Sequence, residues 1–171
     1  MQLSVGFNLK PVLLFACGNL SRGDDALGPL LLDFVAAHLS FDTVELLTDF
    51  QLQIEHALDL QGRSLVLFAD ASVNSAGNIN FRELTAQRDT SYSTHVMSPA
   101  AVLSVYQDIF HSPPPPSFLL SIKAERMELG EGLSESAQLH LQSAVTLVTK
   151  LLNNQQLDAW RNCAADFLVA S

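Results

Sequence analysis

The segment Leu13–Gly28 constrains the fold more than any other part of this sequence. An apolar run ends at Gly18-Asn19, a polar turn follows, and an apolar helical stripe begins after Asp24 and Asp25. A strand that passes through a glycine-containing turn into a helix is the opening unit of an α/β fold, in which ligands bind where the strands end. Two carboxylates at a helix N-terminus would repel phosphate, so the turn favours a cation over a nucleotide.

The rest of the hydrophobic pattern extends this unit into a full α/β domain. We predict a three-layer α/β/α sandwich around a mixed, mostly parallel five-stranded sheet, with residues 78–84 antiparallel to the strand that precedes them. The chain is treated as a single domain, 1–171, whose residues 154–171 form a C-terminal accessory helix. The predicted strands are 11–18, 44–48, 64–71, 78–84 and 118–123, and the predicted helices are 27–39, 51–60, 100–110, 135–152 and 157–168.

Composition narrows the range of partners and the cellular compartment. The chain has 18 acidic and 9 basic residues, a formal net charge of −9, which disfavours nucleic acid and anionic membranes as partners. Two cysteines, Cys17 and Cys163, are too few and too unlike in setting to suggest a disulfide framework. The N-terminal segment does not resemble a signal peptide, and no apolar run is long enough to span a bilayer. We therefore expect a cytoplasmic protein, with a monomer as the working assumption.

Three polar side chains from separate segments are predicted to meet at one edge of the sheet. Asp25 follows the first strand, Asp70 closes an otherwise apolar strand, and His95 lies just ahead of the helix that Ser98 and Pro99 begin. Because the carboxyl ends of parallel strands share one edge, these side chains can converge there. Two carboxylates and one imidazole are able to hold zinc, nickel or a similar divalent ion with coordination positions left open.

Each residue also has a plain structural interpretation. Asp25 could complement the helix dipole, Asp70 could cap a turn, and His95 could be an ordinary loop histidine. Asp24 is given a supporting role, either capping the helix or holding the loop. Cys17, inside the first apolar run, is interpreted as an inert buried thiol.

The other histidines, and two common hydrolase motifs, give no competing site. No motif supports a role for His38, His56, His111 or His140. The sequence also lacks the Gly-x-Ser-x-Gly pattern of serine hydrolases and the His-Glu-x-x-His pattern of zinc proteases.

Four segments, in order along the chain, resemble the signatures of the NiFe-hydrogenase maturation endopeptidases. They are Gly18–Gly28 (GNLSRGDDALG), Phe68–Ala71 (FADA), Thr94–Pro99 (THVMSP) and Leu129–Ser134 (LGEGLS). The resemblance implies an endopeptidase that removes the C-terminal extension from the nickel-loaded precursor of a hydrogenase large subunit. It also implies that Asp25, Asp70 and His95 are the metal-binding and catalytic residues. The metal would be nickel presented by the substrate, and no organic cofactor is expected.

One segment departs from the family pattern. Many members carry a Gly-Thr signature after the second strand, whereas this chain has residues 47–56 (LTDFQLQIEH), which resemble the branch that serves cytosolic, NAD-linked hydrogenases. Two alternatives stay open at this point. One is a non-catalytic assembly factor that reads nickel with the same site, and the other is a Rossmann-like nucleotide-binding protein.

Overall fold

The computed structural model describes residues 8–89 and 96–170. Its centre is a five-stranded sheet in the order β2-β1-β3-β5-β4, in which β1, β2, β3 and β5 are parallel and β4 is antiparallel to β5. The strands are β1 (Val12–Cys17), β2 (Val44–Asp49), β3 (Leu65–Ser72), β4 (Ile79–Glu83) and β5 (Ser117–Lys123). The helices are α1 (Leu27–His38), α2 (Pro99–Phe110), α3 (Glu135–Asn153) and α4 (Leu157–Val169), with short 3₁₀ helices at Gly23–Ala26 and Ile54–Leu60.

Helices cover both faces of the sheet, which confirms the predicted three-layer sandwich. β1 is buried along its whole length, so its alternating side chains fill two separate cores. Val12, Leu14 and Ala16 pack with residues of α1 and α3, whereas Leu13, Phe15 and Cys17 pack with α2 and the 3₁₀ helix Ile54–Leu60. Within the described ranges, no helix is both long and apolar enough to cross a membrane.

The position of β4 differs from the sequence-based expectation. β4 does run antiparallel to β3, but it pairs with β5, which lies between the two. The physical reason is burial. β5 presents apolar side chains to both cores and suits the interior of the sheet, whereas β4 carries the exposed Arg82 and Glu83 and suits an edge. The segment predicted as a helix at 51–60 is a shorter 3₁₀ helix, Ile54–Leu60.

The C-terminal helix packs on the sheet through Trp160. This side chain is fully buried, and its ring lies 5.4 Å from that of Phe118 and 6.5 Å from that of Phe81. The indole N–H donates to the carbonyl oxygens of Leu151 and Asn154, each at 3.0 Å. α4 therefore covers edge strand β4 and belongs to the main core.

Candidate active site at the carboxyl edge of the sheet

Strand register brings two carboxylates beside Cys17. Cys17 lies opposite Asp49 of β2, and Ala16 lies opposite Ala69 of β3, so Asp70 is level with Cys17 on the other side. Alternation along each strand turns these three side chains toward the α2 face. The carboxyl edge of the sheet thus carries a thiol between two acids.

A tight turn after β1 brings Asp25 to the same edge. Gly18 has φ +145°, and a Cβ there would lie 2.0 Å from the Asp25 carbonyl oxygen, so only glycine fits. The Asn19 N–H donates to the Asp25 carboxylate at 3.0 Å. Gly28 lets α1 approach β1 closely, since a Cβ there would lie 2.4 Å from the Cys17 carbonyl oxygen. The two glycines therefore hold Asp25 above the end of β1.

Asp24, its neighbour, has a different environment. Its carboxylate is fully buried and accepts hydrogen bonds from the backbone N–H groups of Glu125, Arg126 and Ser134 and from the Ser134 hydroxyl, at 2.7–3.1 Å. Burial alone would raise the pKa of Asp24, but these hydrogen bonds outweigh it and lower the pKa. Of its two predicted roles, Asp24 holds the loop: it ties the 3₁₀ helix Gly23–Ala26 to the segment that precedes α3.

Asp25 and Asp70 line one cavity of about 240 Å³ at this edge. His95 lies outside the described residues, as does Thr94, so the third predicted ligand stays a prediction; its neighbour Val96 does line the cavity. Among residues 8–89 and 96–170, no group of three or more His, Cys, Asp or Glu side chains is placed to hold a metal ion. The other lining residues are Cys17, Phe50, Gln51, Leu52, Ala71, Met97, Pro99 and Met127.

The environment of the cavity raises the pKa of the Asp70 carboxyl and the pKa of the Cys17 thiol. Partial burial raises the pKa of Asp70 to about 6, helped by the negative charge of Asp25 and opposed by a hydrogen bond from the Ala71 N–H. Burial, with the charges of Asp70, Asp49 and Asp25, raises the pKa of Cys17 to about 12. The thiol is therefore protonated at neutral pH, which agrees with its interpretation as an inert buried group.

A histidine to which no motif gave a role supports one wall of this cavity. His56 is buried, its Nε2 lies 3.2 Å from Oδ2 of Asp49, and its Nδ1 accepts the Gln53 N–H at 2.9 Å. Asp49 also accepts the Phe50 N–H at 2.6 Å. These contacts fix the segment between β2 and the 3₁₀ helix Ile54–Leu60. Sequence reasoning missed this pair, and the signal that could have indicated it is an acid at the end of β2, comparable to Asp70 near the end of β3.

No family model and no curated protein matches the chain. Among solved structures, the NiFe hydrogenase maturation protease HycI from Thermococcus kodakarensis matches with TM-score 0.65 and 21% identity, covering 85% of this chain and 94% of that one. The hydrogenase maturating endopeptidase HybD from Escherichia coli matches with TM-score 0.66 and 22% identity, covering 84% and 93%.

A third match is the hydrogenase 2 maturation peptidase from a Thaumarchaeota archaeon, with TM-score 0.60 and 22% identity over 84% of this chain and 98% of that one. These matches cover nearly the whole of each relative, and they agree with the resemblance that the four sequence segments indicated. The chain therefore adopts the fold of the NiFe hydrogenase maturation proteases.

Proposed function

We propose that this protein is an endopeptidase that cleaves the C-terminal extension from the nickel-loaded precursor of a NiFe-hydrogenase large subunit. One observation supports this function above the others. Asp25 and Asp70, from two separate segments that resemble the family's signatures, line a single cavity at the carboxyl edge of the sheet. The similarity of the fold to that of the hydrogenase maturation proteases also supports this function.

The donor chemistry of the cavity suits a cation that arrives with its substrate. In this proposal, the two carboxylates and the His95 imidazole offer oxygen and nitrogen ligands to a nickel ion. The precursor occupies the other coordination positions of that ion. Such an ion would position the scissile carbonyl, and as a Lewis acid it would polarise that carbonyl or activate a water molecule. One of the aspartates acting as general base is the alternative. In either case water adds to the carbonyl carbon, the C–N bond breaks, and the departing amine gains a proton.

The branch of the family is part of the proposal. Residues 47–56 resemble the proteases that serve cytosolic, NAD-linked hydrogenases, and in the structure this segment includes Phe50, Gln51 and Leu52 of the cavity wall. We propose a large subunit of that class as the substrate and the cytoplasm as the site of action.

The test is a cleavage assay with purified protein and purified precursor, with and without nickel in the precursor. We expect cleavage of the nickel-loaded form only. Asp25→Ala and His95→Ala should each lower kcat/KM by at least about a hundredfold, since they remove groups that contact the reacting centre. Asp42→Ala and His38→Ala, which alter exposed side chains, are the matched controls.

Two outcomes would contradict this proposal. If Asp25→Ala or His95→Ala processed the precursor at the wild-type rate, the assignment of the site would be wrong. A wild-type protein that binds the nickel-loaded precursor without ever cutting it would favour the non-catalytic assembly factor.

A further inference from the structure

A second and larger cavity adjoins the candidate active site. It measures about 480 Å³ and lies between the β1–α1 turn, the first turns of α1 and the end of β2. Phe50 lines both cavities, so they are neighbours along the carboxyl edge of the sheet. Its walls include Leu20, Pro29, Leu32 and Asp33.

The walls of this second cavity present unusual apolar surface to solvent. Leu20 is 58% exposed and Phe50 is 73% exposed. Leu32, nearly buried, also lines the cavity, and with Pro29 it extends the apolar surface inward. Large apolar side chains that stay exposed next to a reactive site are typical of a surface that a partner covers.

The segment that carries Phe50 is held in place before any partner arrives. The Asp49 carboxylate accepts a hydrogen bond from the Phe50 N–H, and its other oxygen contacts Nε2 of His56. A fixed wall loses little conformational entropy on binding, which favours its use as a recognition surface.

We propose that this second cavity binds the extension that the enzyme removes, with an apolar side chain of the extension seated against Leu20, Leu32 and Phe50. The inference rests on the proposed function. Because nickel stays with the mature part of the substrate, that part occupies the cavity of Asp25 and Asp70. The chain on the other side of the scissile bond then leaves that cavity. Two described cavities border it, one of about 350 Å³ that shares Val96 and Met97 and one of about 480 Å³ beyond Phe50, and we assign the extension to the larger. The carboxylate of Asp33 at its rim favours an extension that carries a positive charge.

The first experiment compares the kinetics of three variants on the nickel-loaded precursor. Leu20→Ala should raise KM about tenfold, the effect of losing one apolar contact, with kcat within about threefold of wild type, and Phe50→Ala should raise KM by a similar factor. Leu20 is the sharper test because it lines the second cavity and not the first. Leu139→Ala, which truncates an α3 side chain 61% exposed and outside both cavities, is the matched control.

The second experiment locates the bound segment directly. A photo-crosslinking amino acid replaces Leu20 or Leu139 with Asp25 left intact, the complex with the nickel-loaded precursor is irradiated before it turns over, and the crosslinked precursor is mapped by mass spectrometry. We expect crosslinks from position 20 to residues of the extension and none from position 139.

The outcomes separate this inference from the function on which it rests. If wild type cleaves but Leu20→Ala and Phe50→Ala behave like Leu139→Ala, or if position 20 crosslinks only to the mature part, the extension site is wrong and the protease stands. If Leu20→Ala instead dissociates a dimer in sedimentation experiments, a second copy of the chain occupies the cavity and the inference fails. If wild type does not cleave the nickel-loaded precursor, both proposals fail together.

Discussion

Asp24 and Asp25 are adjacent in sequence but have opposite environments. The Asp24 carboxylate faces the interior, where four hydrogen bonds hold it, while Asp25 faces the cavity and receives one backbone N–H from Asn19. A buried and fully satisfied acid stabilises the fold, and a partly exposed acid with open lone pairs is free to bind a ligand. Asp24 therefore stabilises the fold, and Asp25 is left for the proposed chemistry.

Removal of the Asp24 carboxylate should destabilise the protein strongly. Asp24→Ala leaves the part-buried N–H groups of Glu125 and Arg126 and the buried N–H of Ser134 without an acceptor, and we expect a loss of about 2–4 kcal/mol in the free energy of unfolding. Urea denaturation measures this loss, and Asp42→Ala, a change at an exposed acid, is the control. A difference below about 0.5 kcal/mol would show that the loop is held by other contacts.

Replacement of Cys17 should leave catalysis nearly intact. Burial and the neighbouring carboxylates raise the pKa of the thiol to about 12, so it is protonated at neutral pH and is a poor nucleophile. Cys17→Ala should keep kcat for the nickel-loaded precursor within about threefold of wild type, whereas loss of a covalent nucleophile costs orders of magnitude. A loss of a thousandfold in a folded Cys17→Ala protein would make Cys17 catalytic after all.

At the scale of elements, α4 completes the core over the edge strand. Its indole ring packs against rings of β4 and β5, and the same side chain caps carbonyl groups at the end of α3. An antiparallel edge strand with one uncovered side is open to pairing with another chain, and α4 packs against it. The helix therefore covers part of β4 and contributes to the main core.

Truncation of Trp160 should show this dependence. Trp160→Ala removes a fully buried aromatic side chain and its two hydrogen bonds, and we expect a loss of about 3–5 kcal/mol in the free energy of unfolding. Thermal or urea unfolding provides the measurement, with Val169→Ala, 87% exposed on the same helix, as control. Equal stability of the two variants would mean that α4 is only loosely attached.

At the scale of the molecule, the negative charge and the acids at the carboxyl edge are compatible with the proposed substrate, which carries a nickel ion. The formal net charge is −9, and acids are concentrated where the strands end, with Asp25, Asp49 and Asp70 all close enough to act on the Cys17 thiol. Ligands of α/β proteins bind at this edge of the sheet, and anionic ligands would meet repulsion there.

Nucleotides should consequently fail to stabilise the protein. A ligand present at a hundredfold excess over its Kd stabilises by about 2.7 kcal/mol, which raises Tm by several degrees for a chain of this size. We expect no change in Tm with millimolar ADP or NAD⁺ relative to sodium sulfate at the same ionic strength. A reproducible rise with either nucleotide would favour the Rossmann-like alternative.

Local patterns were sufficient for most individual elements. Ser98 and Ser134 cap α2 and α3 as predicted, with hydroxyls that accept the N–H groups of Ala101 and Ala137, because a cap depends on residues within one helical turn. Pro29 lies in the first turn of α1, as predicted, because a helix tolerates proline there but not in its interior. The apolar run of β1 is likewise a strand buried on both faces.

Interactions between distant segments could not be predicted in this way. The insertion of β5 between β3 and β4 depends on which neighbour a strand selects, and the four hydrogen bonds of Asp24 join residues far apart in the chain. Asp24 could be assigned a supporting role but not its partners, since these belong to the loop before α3.

The sequence by itself determined the layered α/β class, the helix caps and the acidic turn after the first strand, because each depends on side chains within a few residues of one another. Only the tertiary structure decided which of the two adjacent acids is buried, whether the predicted pair of acids shares a cavity and which second cavity lies beside it. Those properties arise from strand order and register, and strand order and register are set by packing the whole sheet between its two layers of helices.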